Sequence, residues 1–293
     1  MTARFKKILN LHEQATHLRL RKACEPWGAS VHLKVRVADV LPIEGSGITR
    51  DQYEFALKSH FDFLVTDSDH SPLFAVEFDG PPHLTREQRA RDDRKNKLCD
   101  RFSFPLLRIN CEYLLEKHRQ MDLLTWFVEV WFLKAAFAEA QQKGEVSWDE
   151  PFTPGSIMTL PGRKEPFPLW LSLDARVEIG KLHLAGKCHD YAPSSAVGMD
   201  SANNYRAIAY ILTVPRRGLV AQTGMRSHRF PIPISELLED IVVLELFLRL
   251  KDALVGRQDF ASVDVIEERC RTFRSKYRVV SAFESGDRRF LLP

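Results

Sequence analysis

Asp62, Glu77 and Asp79 are carboxylates set into two short apolar runs, HFDFLV and FAVEFDG. A strand buried among Phe, Val and Ala holds an anion cheaply only if something compensates the charge. Glu77 and Asp79 are two residues apart, so they share one face of a strand, and Asp62 can meet them if the two runs pair in register. Like-charged carboxylates held together call for a counter-cation. Hard oxygen ligands of this kind suit Mg2+ or Mn2+, and such an ion assists phosphodiester hydrolysis by offsetting charge on the phosphoryl oxygens. The opposing reading makes all three strand-edge or turn residues, since Asp79-Gly80 is also a common turn pair.

More polar residues follow at once. His83, after Pro81-Pro82, could orient a metal-bound water, shuttle a proton or bind phosphate. Thr85 is placed to cap a helix in which, from Leu84 to Arg101, seven Lys or Arg stand against four acids. Asp92 and Asn96 lie four apart and Asp92 and Lys95 three apart, close to one helical face. Arg89, Arg94 and Lys97 on that helix, and Arg108 in the run PLLRI, are cations a nucleic-acid backbone could use. A solvated surface accounts for such a charge run equally well.

Taken together, DFLV, VEFDGPPH, DDRKN and FPLLRI resemble the PD-(D/E)xK nuclease superfamily, the restriction-endonuclease-like fold. The nearer likeness is to its compact bacterial branch, with the phrase DFxV…xxExDGxxH…DxxKN…PxLRI, similar in layout to very-short-patch repair endonucleases. The resemblance covers roughly the first 120 residues. It implies an α/β core with a central mixed sheet flanked by helices. It also implies Mg2+ (or Mn2+) held by Asp62 and Glu77, with Glu13 of the first helix facing the metal. Asp79, His83, Lys95 and Asn96 would complete the catalytic set. The broad signature has lysine two residues after the strand glutamate, where this chain has Asp79. The nearer branch reads ExD, and Lys95 is then the relocated lysine, ahead of Lys97. The leading expectation is a divalent-metal-dependent nuclease acting on DNA. The alternative is a catalytically inactive nuclease-fold module that binds nucleic acid or a protein partner. A third is a metal-dependent hydrolase of a nucleotide or other phosphoester.

The elements that must position these groups follow from periodicity. Helical spacing runs from Phe5 to Ala23, with Glu13 inside it, and Pro26-Trp27-Gly28 ends it. Val31 to Leu41 alternates as a strand, and Thr49 to Lys58 suits a short helix. Phe61 to Val65 and Leu73 to Phe78 form an antiparallel pair about SDHSP, and Phe104 to Ile109 closes the core. Leu123 to Gln142 is a strongly apolar helix that packs on the core or meets a second copy or a protein partner.

The chain has 293 residues, 44% hydrophobic and 28% charged, with a formal charge of +3. That is an ordinary soluble composition, too weakly basic to argue for nucleic acid by itself. Five scattered cysteines without a CxxC pair point to reduced thiols and a cytoplasmic protein. No signal-peptide core or membrane span is read. The expected division is a nuclease-like domain over 1–142, a Gly/Pro-rich linker over 143–168, and a C-terminal α+β region over 169–293 as an accessory domain. In that last part Trp170 to Leu184, Tyr205 to Val214 and Arg226 to Ile234 suit strands, and Ser235 to Leu254 and Ser262 to Cys270 suit helices. Arg271, Arg274 and Lys276, interleaved with Phe273 and Tyr277, could grip a nucleic-acid backbone. KCHDY with His183 lacks the ligands of a tetrahedral metal site.

Overall fold

The computed structural model describes residues 7–80, 85–118, 121–157, 169–214 and 217–292. They group into two compact units. The first takes in the described part of Met1–Phe152 together with His228–Ile232, and the second the described parts of Thr153–Thr159, Glu165–Ser227 and Pro233–Pro293.

In the first unit, helix α1 (Leu11–Cys24) starts where Asn10 and Glu13 cap each other's backbone N–H. That box fixes the start later than the predicted Phe5, which lies outside the described residues. A single 3-10 turn over Glu25–Trp27 and the left-handed Gly28 (φ 67°) end it. Strand β1 (Ser30–Arg36) stops short of the predicted Leu41, because Val37–Val40 form one helical turn, α2. Val37 is fully buried there, and its N–H donates to the Ser59 carbonyl. Alternating apolar residues satisfied a strand and a buried turn equally. Helix α3 (Arg50–Lys58) has a Thr49–Gln52 capping box.

Strands β2 (His60–Thr66) and β3 (Pro72–Phe78) are antiparallel, and Asp67 ties their turn by accepting from the N–H groups of Asp69 and Ser71. Helix α4 (Arg86–Arg101), capped by Thr85 and Gln88, carries the chain to β4 (Leu106–Ile109), which runs parallel to β3. The sheet order β1-β2-β3-β4 is thus a mixed sheet flanked by helices, the restriction-endonuclease-like core expected. Of α4 only Lys95, Leu98 and Cys99 are buried. They form a narrow stripe at i, i+3 and i+4. Leu98 and Cys99 pack on Val37, Ile43, Ala56, Phe61 and Leu106.

Helix α5 (Leu123–Gln142) buries its first half, including Trp126, Phe127 and Val130. Phe74, Trp131 and Phe230 meet at ring distances of 4.8 to 5.3 Å. Arg226 to Ile234, predicted as a strand, gives only an isolated bridge, in which the Leu106 N–H donates to the Arg229 carbonyl at 2.8 Å. That contact covers the edge of β4.

The second unit is α+β. Helix α6 (Leu173–Leu184) stands where a strand was predicted. The reason is visible in burial: Ala175 and Ile179 are 1% and 0% exposed, but Val177 between them is 48% exposed, a period of four rather than two. The sheet contains β5 (Ser194–Met199), β6 (Tyr205–Val214), β7 (Arg217–Met225), the two-residue β8 (Ala261–Ser262) and β9 (Arg278–Phe283), ordered β8-β7-β6-β5-β9 and antiparallel throughout. Helix α7 (Ile234–Leu254) packs along β5, β6 and β7, and α8 (Val263–Lys276) covers Ile208, Tyr210 and Leu212 with Ile266, Cys270 and Phe273. No helix among the described residues is long and apolar enough to cross a membrane.

Two carboxylates of α7 meet α6, the residues just before it, and β5. Asp240 accepts from the Ser172 hydroxyl and the Leu171 N–H, and Glu239 accepts from Arg176 at 2.9 Å and from Ser195 at 3.1 Å. Burial pushes Asp240 up to about 6; burial, then the charges of Asp240 and Glu239, push Glu236 up to about 7. Both folded values lie above the ordinary carboxylate range, so the folded chain binds more protons than the unfolded one between about pH 4 and 7, and stability falls as pH rises through that window. Glu236→Gln should therefore flatten the pH dependence of the melting temperature. Because Glu236 is half exposed, the expected gain is only on the order of 1 kcal/mol at pH 8, with little change at pH 5. Parallel melting curves for variant and wild type across that range would sink the assignment.

Candidate functional site

The predicted acids converge where β1, β2 and β3 lie side by side. The register Phe63↔Val76 brings Asp62 next to Glu77. The Asp62 N–H donates to Glu77 Oε1 at 3.2 Å, and the Phe78 N–H donates to Asp62 Oδ2 at 3.0 Å. Across the other pairing, Leu33↔Phe63 and Val35↔Phe61 set Lys34 opposite Asp62. Its Nζ lies 2.6 Å from Asp62 Oδ1 and 2.7 Å from Glu13 Oε1.

The helix supplies the second cation. Lys95, on the buried stripe of α4, points Nζ at both oxygens of Glu77 (2.7 and 2.8 Å) and at the His60 carbonyl (2.7 Å). The parallel register Glu77↔Arg108 supplies the third. Arg108 reaches Asp79 at 2.8 Å and Asp92 at 3.1 Å through Nη1, and Asn96 at 2.9 Å through Nε.

Electrostatics follow from this geometry. Burial holds Glu77 above the usual carboxylate range and the Asp62 charge adds to it, while Lys95 and Arg108 pull the other way. Burial lowers Lys34 and Arg108, but their carboxylate partners outweigh it and both finish raised.

This arrangement corrects the metal reading. Among the described residues no group of three or more His, Cys, Asp and Glu side chains could hold a metal ion. Asp62 and Glu13 share Lys34, Glu77 is held by Lys95 through both oxygens, and Asp79 is held by Arg108. Mg2+ needs oxygen ligands at about 2.0–2.1 Å in octahedral geometry. These oxygens point at ammonium and guanidinium groups instead. The residues do not fit Mg2+ or Mn2+, and the expectation of a metal-dependent nuclease, or of any hydrolase built on such an ion, is withdrawn with it. Sequence reasoning saw the carboxylates but missed Lys34. Its signal was the polar face of the run VHLKVRV, which must face the acid of the adjoining strand.

Beside this network lies a cleft of about 860 Å3, lined by Lys58, His60, Glu77, Asp79, Arg91 and Lys95 among others. On α4, Arg86, Arg89, Arg91, Arg94 and Lys97 are exposed. Arg94 sits 3.7 Å from Asp51 and Lys97 3.5 Å from Asp93. Arg108, named for nucleic acid, is buried in its ion pairs. In the second unit Arg271 is held by Glu267 and Glu268, Arg274 donates to the Leu292 carbonyl, and Lys276 is exposed at the end of α8. His83 lies outside the described residues.

A family model described as a protein of unknown function, DUF2726, matches residues 5–124, less than half of the chain. No curated protein and no solved structure matches it.

Proposed function

We propose that the first unit is a nuclease-fold module that binds nucleic acid and does not hydrolyse it. The observation that carries this is the outer face of α4. Arg86 and Arg89 are exposed there and have no ion-pair partner among the described residues. Cations that answer no carboxylate of their own fold are left for an external anion. A phosphate backbone is the polyanion for which arginine forks are suited. We further infer that the unit is a divergent member of the compact PD-(D/E)xK branch, with Lys34, Lys95 and Arg108 supplying the positive charge that a metal would otherwise bring. The order of acids and helix residues supports this, and the matched family model spans the same stretch.

Full-length protein should bind labelled duplex DNA, single-stranded DNA or RNA in fluorescence anisotropy, with affinity falling steeply between about 50 and 200 mM salt. Arg86→Ala with Arg89→Ala should weaken binding to all sequences alike and reduce the salt slope by about 2. No binding to any of these at low salt sinks the proposal, and cleavage of any of them by the pure chain sinks its non-hydrolysing half.

A protein partner is the second reading. The α5 surface put forward for it is buried from Leu123 to Leu124 and from Trp126 to Val130, so a partner or second copy would have to use the later turns, where Ala135, Ala136 and Ala138 are exposed. We place the primary contact on α4 and keep residues 169–293 as an accessory part. The arginines there named for nucleic acid, Arg271 and Arg274, already answer groups of their own unit.

A further inference from the structure

Five carboxylates line the cleft walled by α3, α4 and the adjoining ends of β2 and β3, and each has its cation. Glu77 holds Lys95, Asp79 and Asp92 share Arg108, Asp51 faces Arg94 at 3.7 Å, and Glu54 holds Arg50 at 3.0 Å. What remains on the same walls is positive or hydrogen-bond donating. Lys58 and Arg91 line the cleft without an ion-pair partner among the described residues, and the Ser59 hydroxyl and His60 ring beside them make no side-chain hydrogen bond there, although Asp39 is near enough for the His60 ring to act on its charge.

We propose that this cleft binds the terminal phosphate of a nucleic-acid strand, an inference that rests on the nucleic-acid reading of α4. A phosphate monoester carries about −1.5 to −2 charges at neutral pH and three acceptor oxygens. Two unopposed cations match that charge better than they match the single charge of an internal diester, and the Ser59 hydroxyl and His60 ring supply further donors. The buried Lys95–Glu77 pair forms part of the cleft wall, and the strand would enter by its end. Phe55 also lines the wall, packed against the core and with the Arg94 guanidinium 6.0 Å from its ring centre. The outer arginines Arg86 and Arg89 would hold the backbone behind that end without regard to its phosphorylation.

The test uses the full chain and three single-stranded oligonucleotides of one sequence: 5′-phosphorylated, 3′-phosphorylated and unphosphorylated. One phosphorylated end should bind about tenfold or more tightly than the unphosphorylated strand, the scale of a charge-assisted hydrogen bond or two. Lys58→Ala and Arg91→Ala should each erase that preference while leaving affinity for the unphosphorylated strand within about twofold, since they do not touch the backbone contacts. Circular dichroism and melting confirm that both variants fold. Competition with a nucleoside 5′-monophosphate and with inorganic phosphate separates two sources of the same group. Displacement of the phosphorylated strand by the monophosphate at comparable concentration assigns the cleft to a free nucleotide's phosphate and overturns the strand-end assignment; displacement only at great excess supports it. Equal affinity for all three strands overturns the proposal and leaves the α4 reading standing. No binding of any strand overturns both.

Discussion

Lys95→Met should lower the unfolding free energy by about 3–5 kcal/mol, the loss expected when one member of a buried ion pair is removed. The pair is well shielded, with side chains 11% and 8% exposed for Lys95 and Glu77. Methionine keeps most of the aliphatic stem and removes only the ammonium, which also sits 5.7 Å from the centre of the Phe61 ring, so the change is one of charge rather than of volume. Without the ammonium, only the Arg108 charge opposes burial and the Asp62 carboxylate at Glu77, and a group that burial already holds high rises further. The cost is capped because Glu77 can take up a proton. The sign in pH follows. With a folded value raised above the unfolded one, the variant is most stable below the unfolded value and loses stability as pH rises toward the folded value, so the deficit should be larger at pH 8 than at pH 6. Glu77→Gln should cost less, about 1–3 kcal/mol, because the amide oxygen and the His60 carbonyl still accept from Lys95. The double variant should recover much of the loss. Urea midpoints of the four proteins at two pH values measure all of this. A site of crowded acids with no cation would instead gain stability from Glu77→Gln, and a gain there, or a Lys95→Met protein within 1 kcal/mol of wild type, contradicts the pairing.

The first unit was far more legible in the chain than the second, for reasons that lie in particular residues. The segment from His60 to Ile109 announced itself because its strands are short, nearly continuous apolar runs, Thr85 caps α4, and the acids stand out against Phe and Val. What the acids are for was not legible. A carboxylate shows in one dimension, but its partner depends on register, and Lys34 meets Asp62 only once β1 and β2 are paired. Lys95 offered a better signal than its spacing from Asp92. It sits three and four residues before Leu98 and Cys99, on the only stripe α4 buries. In the second unit, β5 and β7 went unread because Ser, Gly and Gln fill them. Gly218 looks like a turn residue, yet it lies inside β7, where an added Cβ would collide with the Ile211 carbonyl oxygen and press on Ile266 and Leu212. The strand β9 begins where the basic run ends, in residues that were assigned no element.

Glu284→Ala should cost about 2–4 kcal/mol and release the end of the chain, because one carboxylate satisfies three backbone donors and also accepts from the Tyr210 hydroxyl. Glu284 follows β9. Its Oε1 accepts from the Tyr210 hydroxyl at 3.1 Å and from the N–H groups of Phe290 and Leu291, and its Oε2 accepts from the Leu292 N–H at 3.0 Å. These bonds fold the tail back so that Leu291, 1% exposed, joins Tyr210, Cys270 and Phe273 in the core beneath α8. Phe290 packs its ring 5.3 Å from that of Tyr210. Alanine would leave three backbone donors unmatched and cut the tie that makes burial of Leu291 possible. Glutamine keeps one acceptor oxygen but loses the charge, so Glu284→Gln should fall between, at about 1–2 kcal/mol. Tyr210→Phe removes one hydroxyl, which also donates to the Arg288 carbonyl at 3.0 Å, but leaves the three backbone N–H groups on Glu284, and it should cost about 1 kcal/mol. Limited trypsin digestion gives an independent readout. Arg288 and Arg289 are exposed but stand between the clamp and the buried Leu291, and the freed tail of Glu284→Ala should be cut there many times faster than in wild type or Tyr210→Phe. If the alanine variant melts with wild type and its tail resists trypsin as well, burial of Leu291 alone holds the tail and the carboxylate clamp does not.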